Sequence, residues 1–240
     1  RCADLLRDVH WTGERLLRTS RDGKPGSNAG VLEDYADVAE GLLALFSVTG
    51  DQRRLGGAES LLDVVLEHFA DGRGGCYDTA DDAEALVRRP QDPTDNATPS
   101  GASAAAGALL TYASYTGSAR HREAALAALR TVAPIMGRYA RFTGWAAAVG
   151  EAALAGPVEV AVVGRTGDPM TEALVAVARR ASSPGAVVAV GDPDAGRGVP
   201  LLEGRPLVDG RAAAYVCRNF VCARPVTDPA ELRELVGGRP

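Results

Sequence analysis

The sequence predicts a mainly α-helical fold of repeated hairpins, followed by a small α/β domain. Apolar residues recur at spacings of three and four in the first part of the chain, which is the period of an amphipathic helix. Two helix pairs are each joined by a short Thr-Gly link, at Gly50 and at Gly117. After Gly156-Pro157 the pattern changes to short apolar runs, which is typical of β-strands. We therefore expect two domains, residues 1–150 and 151–240.

The helical part contains two complete hairpins. The first pairs a helix over residues 31–49 with a helix over residues 55–69 that stops before Asp71-Gly72. The second pairs residues 98–116 with residues 120–139, where Pro134 is expected to kink the helix. Alternation of short links with long loops is typical of a helical array or toroid.

The long loops, residues 19–30 and 71–97, are where we expect function, because binding residues concentrate on loops that a rigid scaffold positions. The helix over residues 98–116 is apolar on nearly all sides, which predicts an inner helix, capped by Thr98 with Pro99 at its first position. By the repeat, residues 31–49 are also an inner helix. Both then begin on the long-loop face, with their amides and positive dipole ends directed there.

The C-terminal part predicts a βαβ unit and two further elements. The expected elements are strands at residues 158–163, 186–190 and 212–217 and helices at residues 170–180 and 229–236. This order indicates a small α/β domain, with the boundary between Gly144 and Gly156.

Composition excludes several classes of protein. A net charge of -5 gives no basic face, so we expect no nucleic acid partner. The uncharged runs are too short for a membrane span, so we expect no membrane partner. The chain begins at Arg1 without an export leader, which suggests a piece of a longer protein. Four scattered cysteines favour a reducing, cytoplasmic location, and we predict neither cofactor nor metal.

Three segments carry a resemblance to a known family. They are Leu32-Glu-Asp-Tyr-Ala36, Tyr77-Asp-Thr-Ala-Asp81 continuing through Arg89-Pro90 to Asp95-Asn-Ala-Thr-Pro-Ser-Gly101, and Ala214-Tyr-Val-Cys-Arg-Asn-Phe-Val-Cys222. Over essentially its whole length the chain resembles the C-terminal part of the thioredoxin-domain-containing proteins of the spermatogenesis-associated family. It departs from that pattern at Leu55, Cys76 and Ala102, where the family usually has Trp, an aromatic residue and Asn.

The resemblance implies a particular architecture. Such proteins are similar to a thioredoxin-like domain followed by an (α/α)6 toroid related to N-acylglucosamine 2-epimerases and six-hairpin glycosidases. The chain would then be a partial (α/α)6 toroid with a small α/β C-terminal domain, and a thioredoxin-like domain is expected in the full-length protein. Two hairpins and a preceding half do not complete a ring of six.

Polar residues of the inner-helix starts and the second long loop are the candidate site. Glu33, Asp34, Asp78 and Asp95 are the candidate acids and bases, and Tyr35, Tyr77, Asn96 and Ser100 are the candidate ligand-binding residues. Carboxylates beside a tyrosine and helix N-termini suit a small polyhydroxy ligand, and paired carboxylates suit glycosidase-like or epimerase-like acid/base chemistry. The alternative interpretation is structural, since acids favour the first turn of a helix and Asp or Asn shapes turns.

Three functional hypotheses follow from these residues. The first is an enzyme acting on carbohydrate, and the second is a non-catalytic ligand-binding toroid coupled to a redox domain. The third is a scaffold or interaction module. For Cys217 and Cys222, which form a C-x4-C pattern, the favoured interpretation is buried inert thiols, with a redox pair or a metal site as alternatives.

Overall fold

A computed structural model describes residues 1–193 and 198–237 of the chain. These residues form two compact units. The first contains residues 1–44, 53–112 and 120–149, and the second contains residues 45–52 and 113–119 with the described part of 150–240. The second unit therefore includes both Thr-Gly links, which the division at residue 150 had assigned to the first domain.

The helices and strands of the described chain alternate as follows. In chain order they are α1 (Cys2–Leu5, continued by a π-helical turn Leu6–His10), β1 (Ser20–Arg21), β2 (Lys24–Pro25), α2 (Leu32–Thr49), α3 (Gln52–Val64, continued by a π-helical turn Val65–Phe69), α4 (Gly101–Thr116), α5 (Ala119–Met136), α6 (Gly144–Ala155), β3 (Glu159–Val163), α7 (Pro169–Ala178), β4 (Val187–Gly191), β5 (Ala213–Arg218), β6 (Val221–Cys222) and α8 (Pro229–Val236). The fold is mainly helical with a small α/β part, as the sequence predicts.

The two predicted hairpins are present as α2–α3 and α4–α5. Gly50 and Gly117, which end α2 and α4, have φ of 66° and 72°, a left-handed conformation that glycine adopts without a steric penalty. Helix α4 is buried along most of its length, which confirms that it is an inner helix. Its fully or nearly buried residues are Ala102, Ala104, Ala105, Ala106, Ala108, Leu109 and Leu110.

The start of α4 differs from the prediction. The helix begins at Gly101, and Ser100 caps it, since the Ser103 amide donates to the Ser100 hydroxyl at 3.1 Å. Thr98 is therefore not the cap and Pro99 is not the first helical residue. The reason is Asp95, which accepts a hydrogen bond from the Ser100 amide at 2.9 Å and so fixes the turn two residues later than expected.

Helix α6 was not predicted. It occupies the segment in which the sequence analysis expected the domain boundary, and its small residues gave no clear helical period. The Ala147 amide donates to the Thr143 carbonyl at 2.8 Å, which starts the helix after a short 3-10 turn at Ala140–Phe142.

The second unit contains a four-stranded sheet in the order β4-β3-β5-β6. Strands β3 and β4 are parallel and are connected by α7, which confirms the βαβ unit, whereas β5 pairs antiparallel with β3. Helices α7 and α8 cover the sheet through a buried apolar cluster. It includes Val160, Val162, Leu174, Val188, Ala214 and Leu232.

Cys217 and Cys222 are joined by a disulfide, so the interpretation as inert thiols is wrong. The two residues lie directly opposite each other in the antiparallel pair β5–β6. They are opposite because a two-residue loop, Asn219 and Phe220, joins the strands with φ of 51° and 62°. Positive φ at both loop residues is the geometry of a tight type I′ hairpin.

No helix among the described residues is both long enough and apolar enough to cross a lipid bilayer.

Candidate functional site

The candidate site is a cleft of about 340 Å³ in the first unit, at the N-terminal ends of α2 and α4. Four of the predicted site residues line it, namely Glu33, Asp78, Asn96 and Ser100. The sequence analysis did not select Asp92 and Thr94, which also line it. They lie in a proline-containing loop whose polar residues give no periodic signal, so only the folded loop brings them to the cleft.

Backbone contacts hold the second long loop against the start of α2. The Leu32 amide donates to the Asp78 carbonyl at 2.9 Å, and the Asp78 amide donates to the Pro90 carbonyl at 2.9 Å. Helices α2 and α4 also approach closely here, since a Cβ on Gly101 would lie 3.0 Å from the Glu33 amide nitrogen. The close approach explains why glycine begins α4, and it brings both helix starts to one cleft.

Glu33 contributes a partly exposed carboxylate to the cleft. Its Oε1 accepts a hydrogen bond from Arg18 Nη2 at 2.6 Å. Both side chains remain more than 40% exposed, so the pair is screened by solvent and contributes little to stability. The ion pair orients the Glu33 carboxylate while leaving oxygen lone pairs available to a ligand.

Asp78 is the cleft residue whose titration is altered. Burial raises the pKa of the Asp78 carboxyl above its ordinary value, and the negative charges of Asp92 and Glu33 act in the same direction. The Asp92 amide donates to Asp78 Oδ2 at 3.1 Å, which opposes the shift without cancelling it. A carboxyl that holds its proton more tightly is the property required of a general acid.

Asp34 and the two tyrosines lie outside the lining of this cleft. Asp34 Oδ2 accepts from the Val31 amide at 2.8 Å, which is a helix-start contact within α2. Tyr35 is 1% exposed, and its hydroxyl accepts from the Leu16 amide at 2.8 Å. The ring of Tyr77 is covered by the Arg89 guanidinium, whose central carbon lies 4.0 Å from the ring centroid.

Asp95 is also outside the lining, because it is buried between two helix starts. Its Oδ1 accepts from the Ser100 amide and the Ser103 hydroxyl, and its Oδ2 accepts from the amides of Trp145 and Ala146. Burial works to raise the pKa of Asp95, but these hydrogen bonds outweigh burial and leave the pKa below its ordinary value. Asp95 is therefore held as a carboxylate with its acceptors occupied, unlike a proton donor.

A second polar cluster lies on the same long loop. Potential ligand atoms of His68, Asp81 and Asp82 all lie within 4.8 Å of one another. Arg15 occupies this cluster, with Nη2 lying 2.6 Å from Asp82 Oδ2 and 2.8 Å from His68 Nε2, while His68 Nδ1 lies 2.7 Å from Asp81 Oδ1. The guanidinium already supplies the positive charge that balances the carboxylates. The cluster therefore fastens the loop to the first residues of the chain.

These features define a mainly helical protein with a carboxylate-lined cleft and a small α/β part. No family model matches the sequence. The chain is homologous to part of spermatogenesis-associated protein 20: it is 32% identical to the human protein over 235 residues and 32% identical to the mouse protein over 252 residues. Each match covers 92% of this chain and 30% of the relative, so the chain spans less than a third of the length of these relatives.

Proposed function

We propose that this chain is the ligand-binding helical region of a larger protein, and that its cleft binds a small polyhydroxy ligand such as a sugar. One observation carries the proposal: Glu33 and Asp78, from two distant segments, line one cleft at the starts of two inner helices. Sugar hydroxyls are hydrogen-bond donors, and ionised carboxylates accept them with charge-assisted bonds.

The neighbouring residues fit the same class of ligand. Asn96 offers an amide that both donates and accepts, and Thr79 and Thr94 offer hydroxyls. The volume of about 340 Å³ suits one or two sugar rings; small-molecule sites range from about 300 to 1,000 Å³. Helix starts add amide dipoles that favour electron-rich ligand oxygens.

Acid/base chemistry is a stronger version of the proposal. Asp78 would supply a proton and Glu33 would act as the partner carboxylate, because these two residues share the cleft whereas Asp34 and Asp95 make helix-start contacts. The alternative is a non-catalytic scaffold, which is favoured by the use of Asp95 as a structural cap. For the complete protein we propose a thioredoxin-like domain preceding the chain and an (α/α) toroid of which α2 to α5 are a part.

Ligand-observed NMR tests the proposal. The 240-residue chain and the complete protein would be screened by saturation transfer against neutral hexoses, N-acetylhexosamines and hexose phosphates. We expect transfer from at least one sugar class, lost in Asp78→Asn and retained in the matched exposed variant Glu59→Gln. Hydrolysis or epimerisation of the bound sugar would establish catalysis. Absence of transfer for all classes in both proteins would favour the scaffold.

A further inference from the structure

The Cys217–Cys222 disulfide pairs one accessible sulfur with one buried sulfur. Cys217 is 1% exposed, whereas Cys222 is exposed on the edge strand β6. A nucleophile from solvent can therefore reach the Cys222 sulfur, and Cys217 is placed as the leaving group. Accessibility of one sulfur is a requirement for thiol–disulfide exchange.

The Arg205 guanidinium lies against both sulfurs. Its Nη2 is 3.2 Å from Cys222 Sγ and 3.6 Å from Cys217 Sγ. Carbonyl contacts hold it in place, including Nη1 to the Glu203 carbonyl at 3.0 Å, and its Nε is buried without a hydrogen-bond partner among the described residues. A guanidinium beside a cysteine stabilises the thiolate, which is the charged state released when the disulfide is opened.

The hairpin that carries the two cysteines is held by contacts other than the disulfide. The Ala223 amide donates to the Val216 carbonyl at 2.9 Å, and the Phe220 amide donates to Glu159 Oε2 at 2.7 Å. Arg218 donates to the Ala155 carbonyl at 3.2 Å. These contacts keep the two thiols opposite each other after reduction, so the disulfide can form again without refolding.

We propose that Cys217 and Cys222 form a reversible redox site, with Arg205 as its positioning residue, that exchanges its disulfide with a small or protein dithiol. This inference is independent of the ligand proposed for the cleft, because all of its residues belong to the second unit.

The exchange balances as two substitutions at sulfur. One thiolate of the donor attacks Cys222 Sγ, a mixed disulfide forms, and Cys217 leaves as a thiolate beside Arg205. The second donor thiolate attacks the donor sulfur of that mixed disulfide and releases Cys222. Two electrons pass from the donor to the protein. The donor becomes a disulfide, and its two protons go to Cys217 and Cys222 or to water.

The first test uses the folded wild-type chain with dithiothreitol as the dithiol. Site-resolved alkylation and mass spectrometry would follow Cys217 and Cys222 across dithiothreitol redox buffers, with circular dichroism to monitor folding. We expect full, reversible reduction without unfolding. We also expect the pH midpoint for alkylation of Cys222 to lie at least about one pH unit below the ordinary thiol value of about 8.5. Reduction only in denaturant, or a midpoint at the ordinary value, would overturn the proposal.

Variants of Arg205 separate its contact from general charge effects. Arg205→Gln is expected to raise the alkylation midpoint by about one pH unit and to shift the dithiol–disulfide equilibrium toward the disulfide by up to about tenfold. Arg205→Lys should restore part of both effects, and Arg224→Gln, which removes an exposed charge two residues after Cys222, should change neither. Equal values for Arg205→Gln and wild type would contradict the proposal. If Arg205→Gln does not fold, the wild-type midpoint decides.

Discussion

Asp95 accepts a hydrogen bond from the backbone amide of Trp145 at 2.8 Å, although the two residues are 50 positions apart in the chain. The same carboxylate accepts from the Ser100 amide at 2.9 Å. One side chain therefore caps the starts of α4 and α6, which satisfies backbone amides that have no partner within their own helices. Its role is to fix the helices behind the cleft.

Replacing Asp95 by Asn is expected to lower the free energy of unfolding at pH 7 by about 1 to 3 kcal/mol, because the side-chain NH₂ cannot accept and leaves buried donors unpaired. The folded-state pKa of Asp95 is depressed, so its contribution is complete above the unfolded value of about 3.9 and is lost as the pH falls through the folded value. Urea unfolding at several pH values would show the deficit narrowing in acid. Asp22→Asn, in an exposed loop, is the control and should match wild type.

Gly107 lies in α4 where α6 packs against it. A Cβ there would meet Val149 Cγ2 at 3.3 Å and Trp145 Nε1 at 3.4 Å. We expect Gly107→Leu to destabilise the protein by about 1 to 3 kcal/mol through overpacking. Gly41→Leu, in α2 with nothing within 4 Å, should be neutral or stabilising. Equal melting temperatures for the two variants would show that the α4–α6 contact is not close.

Helical periodicity was sufficient to predict both hairpins but not the details of their ends. The spacing of Tyr35, Leu43 and Phe46 marks a buried helix face wherever that helix lies. The start of α4 depends on Asp95, whose partners at Trp145 and Ala146 come from a helix that periodicity did not reveal. Contacts between segments of this kind have no signal in local sequence.

Tyr35 is expected to contribute to stability and to leave ligand affinity unchanged. Its hydroxyl accepts from the Leu16 amide in a buried position, and its ring packs 5.2 Å from that of Phe69. Tyr35→Phe should therefore lower the free energy of unfolding by about 0.5 to 1.5 kcal/mol. Calorimetric titration with the sugar found by NMR is expected to give the wild-type affinity. Loss of affinity without loss of stability would place Tyr35 in the ligand site.

Asp78 is expected to show the opposite pattern. Its folded-state pKa is raised, so the ionised carboxylate disfavours folding at neutral pH, and this penalty disappears as the pH falls below the unfolded value of about 3.9. Asp78→Asn should thus equal or exceed wild-type stability at pH 7, by up to about 1 kcal/mol, and this advantage should vanish in acid. Chemical denaturation at pH 7 and pH 3.5 measures both. A clear loss of stability at pH 7 would indicate a structural role instead.

The cleft and the redox site show where sequence reasoning succeeds and where it stops. Glu33 and Asp78 were selected because they follow long loops, and the fold brings both to one cleft. The cysteine pairing depends on register, and Asn219-Phe220 lacks the glycine that usually marks a two-residue hairpin. Arg205 was not selected because only the folded chain brings it to the sulfurs.

The most direct test of the cleft as a sugar site is calorimetric titration of wild type, Glu33→Gln and Glu59→Gln with the sugar found by NMR. Loss of a charge-assisted hydrogen bond is expected to weaken binding to Glu33→Gln by at least about tenfold, with a melting temperature close to that of wild type, because the Arg18 pair is exposed. Glu59→Gln, on α3 and outside the cleft lining, should bind as wild type. Wild-type affinity in Glu33→Gln would contradict the proposal that this cleft binds the ligand.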